Sequence, residues 1–364
     1  MSWSPQQETA IKAVKAWLKD PSQQVFKLFG FAGTGKTTLA KELAAGVKGK
    51  VLYGAFTGKA ALVLRSKGCD GASTIHSMIY KLDDESRWEP TFTLNPMSEV
   101  RNAKLVIIDE VSMVGEALAA DLLSFGTKVL VLGDPAQLPP VKDEGYFIKG
   151  EPDVMLTEVH RQAEGNPIIR MSMMIREGQN LECGTFGDSK VIPRAALGQR
   201  EILAADQVLV GLNRTRHTVN GKIRHLLGRD PDGPQIGDKL VCLRNDREKK
   251  LLNGGLWLVD DILMDAPDSI RMLVTSDDHV ENSATEVRVL RPFFEGREKD
   301  IPWEEKRGTQ EFTYGYALTT HKSQGSQWGH VVVFDESSAF REDRAKWLYT
   351  AVTRAAERVT VVRS

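Results

Sequence analysis

Residues 30–37 form a run whose residue types and spacing suit a phosphate-binding loop. The run reads GFAGTGKT and fits the pattern G-x-x-x-x-G-K-[ST]. In such a loop Lys36 can reach the β- and γ-phosphates, and the hydroxyl of Thr37 can hold Mg²⁺. A short apolar stretch precedes the run, and a predicted helix from Thr37 to Ala45 follows it. That order directs backbone N–H groups and the positive end of a helix dipole at one place. The sequence therefore predicts a site for a nucleoside triphosphate.

Two adjacent carboxylates end a strongly apolar stretch further along the chain. Leu105–Ile108 is followed by Asp109 and Glu110. Because neighbouring side chains of a strand point to opposite faces, the two carboxylates can take different tasks at the strand tip. We expect Asp109 to bind Mg²⁺ through its water shell and Glu110 to orient and deprotonate the attacking water. A capped turn without a catalytic part is the alternative, and the phosphate loop upstream weakens it.

A neutral amide follows another predicted strand. Val129–Gly133 leads into residues 134–140, which read DPAQLPP. The amide of Gln137 can contact a γ-phosphate without competing for the metal ion. The neighbouring prolines restrict the backbone, so this rigid segment would transmit the effect of that contact. A rigid connector is the alternative, and spacing alone favours it.

Composition sets the class of protein. With 364 residues, 41% hydrophobic and 27% charged, the chain is typical of a soluble protein with two or more domains. No apolar run approaches the roughly eighteen residues of a membrane helix, and residues 1–5 do not resemble a secretion signal. The cysteines Cys69, Cys183 and Cys242 are too far apart to suggest disulfides or a zinc site, so we expect a cytoplasmic protein. The net charge of −1 gives no overall argument for a nucleic-acid partner, and local basic runs such as residues 244–250 are individually typical of solvated surface.

The elements that must position these residues follow an alternating order. A helix is predicted from about Pro5 to Lys19, with Ser4 as N-cap and Gln7 at the fourth position of a capping box. Its predicted buried residues are Ile11, Val14 and Leu18. Strand-like stretches separated by helices then predict a mainly parallel sheet with helices on both faces, and its strand ends gather the loops. These stretches are Val25–Phe29, Lys50–Ala55, Leu105–Asp109 and Lys128–Gly133.

A second alternating set follows residue 150. It contains predicted strands at 208–212, 331–334 and 358–362, with helices at about 214–227 and 343–356. Asn213 is predicted to cap the first of these helices. Residues 236–310 differ in character, because short strands joined by turn residues predict a small all-β insertion. Its predicted strands are 239–243, 256–263, 270–275 and 286–290.

These segments resemble the motif set of the superfamily-one helicases, and most of all the RecD-like and phage Dda-like branch. Five further segments resemble motifs Ia, Ib, IV, V and VI in the family's order; they are residues 55–61 (AFTGKAA), 74–77 (TIHS), 156–162 (LTEVHRQ), 320–328 (THKSQGSQW) and 348–355 (LYTAVTRA). The resemblance implies an α/β fold with two RecA-like P-loop NTPase domains. Domain 1A would comprise residues 1–77 and 100–150, and domain 2A residues 151–235 and 311–364. A hairpin, 1B, would occupy residues 78–99, and an SH3-like insertion, 2B, residues 236–310.

The resemblance also implies roles for individual residues. The implied catalytic residues are Lys36, Glu110, Gln137, Arg161 and Arg354, the two arginines reaching the γ-phosphate from the second domain. The implied nucleotide contacts are Gln7, Gly33, Thr34, Gly35, Lys36, Thr37 and Thr38, and the implied Mg²⁺ ligands are Thr37 and Asp109. The implied nucleic-acid contacts are Thr57, His76, Trp88, Phe92, Asn213, Thr320, His321 and Lys322.

Plainer structural roles stay open for several of these residues. Gln7, which resembles the glutamine that reads adenine, also suits the capping box, and the two roles are compatible. Either arginine alone is more typical of a surface ion pair, and His76 alone of a structural histidine. Trp88 and Phe92 would form a strand-separating wedge, or simply belong to a surface hairpin.

The function implied is that of a monomeric, ATP- and Mg²⁺-dependent motor on single-stranded DNA, moving 5′ to 3′ and unwinding forked duplex DNA. The resemblance also admits a single-strand-binding protein as a partner, and the host would be a bacterial cell or a phage-infected one. An RNA-directed helicase of the Upf type and a nucleotide-controlled nucleic-acid-binding switch without translocation are the alternatives. The chain departs from the family pattern at Phe56, where proline is usual, and at Gln327, where glutamate is usual.

Overall fold

The computed structural model of the chain describes residues 3–83, 91–140, 145–158, 165–246, 248–277 and 284–363. Its contacts form two compact units. Unit 1 consists of Met1–Leu181, Gln324–Ser326 and Arg341–Thr353, and unit 2 of Glu182–Ser323, Gln327–Phe340 and Arg354–Ser364. Within the described ranges, no helix combines the length and apolarity needed to cross a membrane.

Unit 1 is built on a six-stranded parallel sheet. Its elements up to residue 181 are α1 (Pro5–Trp17), β1 (Val25–Gly30), α2 (Lys36–Ala45), β2 (Val51–Ala55), α3 (Gly58–Ser66), β3 (Ser73–Thr74), α4 (Ile75–Ile79), β4 (Tyr80–Asp83), β5 (Thr91–Leu94), β6 (Leu105–Asp109), α5 (Glu116–Leu123), β7 (Val129–Gly133), β8 (Val154–Leu156) and α6 (Pro167–Arg176). The strand order is β3-β2-β6-β7-β1-β8, and every neighbouring pair is parallel. β4 and β5 form a separate antiparallel pair where the hairpin is predicted.

The sheet of unit 1 buries a hydrophobic core on each of its faces. On β6, Leu105 and Ile107 pack with residues of α1 and α2. The alternate residues Val106 and Ile108 pack with residues of α4 and α5. This alternation follows from the two-residue period of a strand, and each fully buried side chain of this size contributes roughly 2 kcal/mol. The predicted parallel sheet with helices on both faces is therefore confirmed.

Helix α1 begins as predicted and ends early. The Ser4 hydroxyl accepts the Gln7 N–H at 3.3 Å, and the Ser4 N–H donates to Gln7 Oε1 at 3.0 Å, which completes the capping box. The helix ends at Trp17 rather than Lys19, and the Trp17 indole N–H donates to the Gln23 carbonyl at 2.9 Å. Trp17 is buried in place of Leu18, because the indole fills the core beside Phe26.

Unit 2 contains a second, mostly parallel sheet and an antiparallel one. Its elements are β9 (Gly184–Phe186), β10 (Ser189–Pro193), α7 (Gln199–Leu203), β11 (Gln207–Val210), α8 (Asn213–Leu226), β12 (Lys239–Cys242), β13 (Leu256–Asp265), β14 (Ser269–Ser276), β15 (Thr285–Leu290), α9 (Trp303–Lys306), β16 (Phe312–Tyr314), β17 (Ala317–Thr319), β18 (Trp328–Phe334) and β19 (Ala355–Arg363). The first sheet has the order β17-β11-β18-β19-β10-β9, with only β9 antiparallel to its neighbour. The second has the order β15-β14-β13-β12-β16, all antiparallel, and β16 lies beyond residue 310. The remaining helix, α10 (Arg344–Val352), belongs to unit 1.

Two further predictions about helix ends are wrong. Helix α10 ends at Val352 rather than Ala356, because Ala355 already pairs with Trp328 in the sheet of unit 2. Asn213 does not cap α8. The N-cap is Leu212, which has extended backbone angles and no capping side chain.

The carboxylate of Glu336, rather than the side chain of Asn213, accepts hydrogen bonds at the start of α8. Its Oε2 accepts the N–H groups of Gly211 at 2.7 Å and Leu212 at 3.0 Å, and its Oε1 accepts the Thr215 hydroxyl at 2.6 Å. A negative charge at a helix N-terminus is favourable, so a residue far along the chain satisfies this end of the helix.

Buried polar side chains of α8 connect it to both sheets of unit 2. The Asn220 amide accepts the Ala317 N–H at 2.9 Å and donates to the Ala317 carbonyl at 3.0 Å, which fixes β17 beside the helix. Arg224 donates to both carboxylate oxygens of Asp238, and neither side chain is exposed beyond 4%. These contacts fix the start of the antiparallel sheet relative to α8.

Candidate nucleotide site and nucleic-acid contacts

The phosphate loop joins β1 to α2 and depends on its glycines. Gly33 and Gly35 have φ angles of 81° and 76°, in the left-handed region that favours glycine. A Cβ atom on Gly30 would lie 2.6 Å from the Thr34 hydroxyl and 2.9 Å from Leu156 Cβ, so no side chain fits there. The loop therefore passes close to β8 at its first residue and turns sharply before the helix.

The side chain of Lys36 is hydrogen-bonded to the backbone of the phosphate loop. Its Nζ donates to the Gly30 carbonyl at 2.6 Å and to the Phe31 carbonyl at 3.0 Å. The Thr34 hydroxyl also donates to the Phe31 carbonyl, at 2.8 Å. The ammonium group thus lies over the loop backbone, from which it can transfer to phosphate oxygens. Thr38, in the first turn of α2, is exposed.

The two predicted Mg²⁺ ligands lie next to each other. The Thr37 hydroxyl donates to Asp109 Oδ2 at 2.9 Å, although the residues are 72 positions apart. Burial raises the pKa of Asp109 above its ordinary value, and the neighbouring charge of Glu110 raises it further. A hydroxyl and a buried carboxylate are hard oxygen donors of the kind that Mg²⁺ prefers, so these residues fit that ion.

Glu110 has a backbone conformation that is unusual for its residue type. Its φ angle is 55° and its ψ angle is 45°, which is left-handed, and its N–H donates to Asp109 Oδ1 at 2.9 Å. Non-glycine residues in this region cost about 1 kcal/mol and are concentrated at functional sites. The turn directs the Glu110 side chain away from the course that a continuing strand would give it.

Gln137 offers a buried acceptor. Its side chain is 6% exposed, and within the described ranges its Oε1 has no hydrogen-bond partner. An unpaired buried amide oxygen is costly, so a partner such as water or ligand is expected there. Because phosphate oxygens are themselves acceptors, this atom suits a water molecule that donates to it rather than a γ-phosphate oxygen.

Gln7 is attached to the phosphate loop. While its Oε1 serves the capping box, its Nε2 donates to the Thr34 carbonyl at 3.1 Å, and the side chain is 3% exposed. The capping box is thus present together with a direct contact to the loop. The reading of adenine by Gln7 stays a prediction.

The structure adds two residues to this site that sequence reasoning missed. The Tyr349 hydroxyl, on α10, accepts the Ala32 N–H at 2.9 Å and donates to Asp134 Oδ2 at 2.7 Å. On the same helix, the Thr350 hydroxyl accepts the Leu138 N–H at 2.9 Å. A lone tyrosine in an apolar helix does need a hydrogen-bond partner when buried, but that signal does not name the partner.

The two arginines predicted to reach the γ-phosphate keep that role as a prediction. Arg161 lies outside the described residues. Arg354 lies in unit 2, is 6% exposed, and its carbonyl accepts the Trp328 N–H at 2.9 Å.

The predicted nucleic-acid contacts of unit 1 include one aromatic group. The His76 ring lies between Phe56, at 6.2 Å, and Tyr80, at 5.6 Å between ring centres. Thr57 is the N-cap of α3, and its hydroxyl accepts the Ala60 N–H. Phe92, on β5, is 59% exposed, and Trp88 lies outside the described residues.

The predicted contacts of unit 2 differ in accessibility. Thr320 is fully buried, and its hydroxyl donates to the Val210 carbonyl at 3.4 Å. The His321 ring lies 5.7 Å from that of Phe340. Lys322 Nζ donates to Asn253 Oδ1 at 3.1 Å. Burial lowers the pKa of Lys322 to about 8, with a further contribution from the charge of Arg216. Asn213, at the start of α8, is exposed.

Comparisons with known proteins agree with this architecture. A family model described as an AAA domain matches residues 2–193, more than half of the chain, and one described as a UvrD-like helicase C-terminal domain matches residues 314–362. The chain is 31% identical to the ATP-dependent RecD2 DNA helicase of Deinococcus radiodurans, an alignment that covers 91% of this chain and 46% of the relative. It is 27% identical to the ATP-dependent DNA helicase Pif1 of Bdellovibrio bacteriovorus, covering 89% and 80%. The chain thus spans less than half the length of the RecD2 relative.

A solved structure shares the fold. The Pif1 helicase from Bacteroides, in complex with ADP-AlF3 and ssDNA, superposes with a TM-score of 0.57 at 19% identity, over 99% of this chain and 92% of that chain. This likeness supports the α/β fold class that the sequence predicts. The chain therefore belongs to the family of the AAA-domain model, and it is similar to RecD-like and Pif1-like DNA helicases.

Proposed function

We propose that the chain is an ATP-driven motor that moves along single-stranded DNA from 5′ to 3′ and unwinds forked duplexes. The observation that carries the proposal is the assembled site of unit 1. There the phosphate loop, the Thr37–Asp109 pair and Gln137, whose Oε1 has no partner among the described residues, follow the carboxyl ends of the neighbouring strands β1, β6 and β7. The direction of movement follows from the resemblance to the RecD-like branch of the superfamily-one helicases, and the DNA helicases among the relatives support the choice of DNA.

The residues divide the hydrolytic work as follows. Lys36 leaves the loop carbonyls to bind the β- and γ-phosphates, and the N–H groups at the start of α2 bind the same anion. Glu110 accepts a proton from the attacking water, which Gln137 orients through its Oε1. Arg161 and Arg354 neutralise charge that develops on the γ-phosphate, an effect on the order of 10³–10⁵ in rate. Thr37 and Asp109 would hold Mg²⁺, which supplies charge neutralisation on the phosphates.

The nucleic-acid track would use the residues predicted from motifs Ia, Ib and V. The aromatic group of Phe56, His76 and Tyr80 offers ring faces, and stacking on bases is tolerant of sequence. Lys322 supplies a positive charge. The pair β4–β5, with its exposed Phe92, would act as the wedge at the fork.

Strand displacement by the purified chain tests this proposal. Three kinds of duplex are mixed with ATP and Mg²⁺. The first has a single-stranded DNA tail at the 5′ end, the second has one at the 3′ end, and the third has a single-stranded RNA tail. We expect unwinding only of the 5′-tailed DNA. RNA-tailed unwinding of equal rate would support the Upf-type alternative, and ATP hydrolysis without displacement of any duplex would support the switch.

A pair of lysine variants provides the control for this experiment. Lys36→Ala removes the phosphate contact and should abolish ATP hydrolysis while single-strand binding persists. Lys41→Ala removes a lysine of the same helix whose Nζ donates to the Lys67 carbonyl at 3.2 Å, and this variant should hydrolyse ATP normally. Hydrolysis by the Lys36→Ala variant at the wild-type rate would show that the site is misassigned.

A further inference from the structure

We infer that Tyr349 is a positioning residue of the nucleotide site, whose hydroxyl fixes the phosphate loop to the carboxylate of Asp134. The inference depends on the nucleotide site proposed above and extends it to a residue with no assigned role. Tyr349 acts through the backbone of Ala32, not by touching a reacting atom.

The contact is buried and uses the phenol in both directions. Tyr349 is 1% exposed and Asp134 is 3% exposed. The hydroxyl accepts the Ala32 N–H at 2.9 Å and donates to Asp134 Oδ2 at 2.7 Å, while Asp134 Oδ1 accepts the Ala136 N–H at 3.0 Å. A chain of hydrogen bonds to a buried carboxylate is stronger than bonds between neutral groups.

Charge favours the same arrangement. Burial raises the pKa of Asp134, whereas the charge of Lys36 and the Tyr349 hydrogen bond lower it. Burial likewise raises the pKa of Tyr349 well above its ordinary value, so the phenol stays protonated and keeps donating. The pKa of Asp134 stays above its ordinary value, and Lys36 and Tyr349, which both lie at the phosphate site, favour its charged form.

A neighbouring cation holds the adjacent loop residue. The guanidinium carbon of Arg176, at the end of α6, lies 3.4 Å from the centre of the Phe31 ring. Helix α6, which carries Arg176, packs against α10, which carries Tyr349, so the two residues reach the loop from helices that are in contact with each other. Phe31 and Ala32 are thus held by side chains, and Gly33 and Gly35 form the turn that follows them.

Holding this half of the loop should strengthen nucleotide binding. A glycine-rich loop loses conformational entropy when it closes around phosphates, and a loop that is already in position loses less. Because the hydroxyl contributes equally before and after bond cleavage, its loss should weaken binding of both ATP and ADP and leave the chemical step unchanged.

The test is Tyr349→Phe, which removes one oxygen atom and keeps the ring. We expect KM for ATP, and the dissociation constant of a fluorescent ADP analogue, to rise about tenfold, with kcat changed less than twofold. Tyr316→Phe is the matched control, since the Tyr316 hydroxyl also donates to a buried carboxylate, Asp238, at 2.8 Å within unit 2. That control should leave both constants unchanged.

A double-variant cycle tests the route through Asp134. If the hydroxyl acts through the carboxylate, adding Tyr349→Phe to Asp134→Asn should raise KM by less than the product of the two single effects. The inference would be overturned if the effects of the two variants on KM multiplied. It would also be overturned if KM and the ADP-analogue dissociation constant of Tyr349→Phe stayed within twofold of wild type, or if Tyr316→Phe raised them equally. ADP-analogue binding needs neither hydrolysis nor DNA, so failure of the proposed motor function would leave this result readable.

Discussion

Lys322 is a cation whose charge depends on mild changes of pH. Burial, and secondly the charge of Arg216, lower its pKa to about 8, whereas Cys242 and Glu311 act in the opposite direction. The pKa of Cys242 is itself raised to about 12, so that thiol stays neutral across the same range. Arg216 keeps its charge near neutral pH. Lys322 therefore changes its charge between pH 7 and 9.

Single-strand binding should weaken as pH rises through this range. Lys322 is positive below its pKa and neutral above it, so a phosphate contact made at pH 7 is mostly lost at pH 9. We expect affinity for a DNA oligomer, measured by fluorescence anisotropy, to fall about fivefold. The slope of log affinity against log salt concentration should decrease in size by about 0.7, which corresponds to the loss of one phosphate contact. Lys322→Arg should keep its affinity at pH 9, because arginine stays charged. An equal fall in that variant would exclude Lys322 as the contact.

How far the sequence predicts the site depends on the separation of its parts. Lys36 and Thr37 lie in one local pattern, and Asp109 could be placed beside them because parallel strands end at the same edge of a sheet. Tyr349 could not, since no local rule relates it to Ala32, 317 residues away. The capping role of Asn213 failed for a similar reason, because residue type identifies a capable cap but not where the chain turns into the helix.

At the scale of elements, α8 determines how the antiparallel sheet is attached in unit 2. Arg224 donates to Asp238 through Nε and Nη2, at 3.1–3.3 Å, and its Cζ lies 4.2 Å from the centre of the Tyr314 ring. Asp238 is fully buried and also accepts the Tyr316 hydroxyl and the Gln235 N–H. The pair links the end of α8 to the residue just before β12.

Arg224→Met should destabilise unit 2. The change leaves the Asp238 charge buried without its cation, which costs roughly 3–5 kcal/mol. Arg288→Met is the control, because Arg288 pairs with the exposed Asp268 at 3.5 Å, and the loss of an exposed pair costs less than about 1 kcal/mol. Urea unfolding followed by circular dichroism measures both changes. Equal midpoints for the two variants would mean that the buried pair does not hold the sheet.

At the scale of the whole molecule, the two units have separate hydrophobic cores. The cores of unit 1 lie on the two faces of its parallel sheet. In unit 2, one core lies between the mostly parallel sheet and α8, and another is formed by side chains of the antiparallel sheet. The phosphate loop and the Thr37–Asp109 pair belong to unit 1. A nucleotide that binds there stabilises that unit by mass action, independently of any motor activity.

ADP should therefore raise one unfolding transition more than the other. At a concentration about 100 times its dissociation constant, ADP adds roughly 2.7 kcal/mol to the unfolding free energy of unit 1. Scanning calorimetry measures the shift, with Arg224→Met marking the transition of unit 2 and Lys36→Ala removing the effect of ADP. A shift confined to the transition that Arg224→Met lowers would place the nucleotide in the wrong unit.

Unit 1 draws on three stretches of chain, and the last of them, Arg341–Thr353, carries Tyr349. A ribosome that has translated the phosphate loop must therefore add more than three hundred further residues before the phenol that fixes Ala32 emerges. Until then the nascent site has its glycines and its lysine but lacks this brace. The ability to bind nucleotide tightly should accordingly mature late in synthesis, after most of unit 2 has been translated.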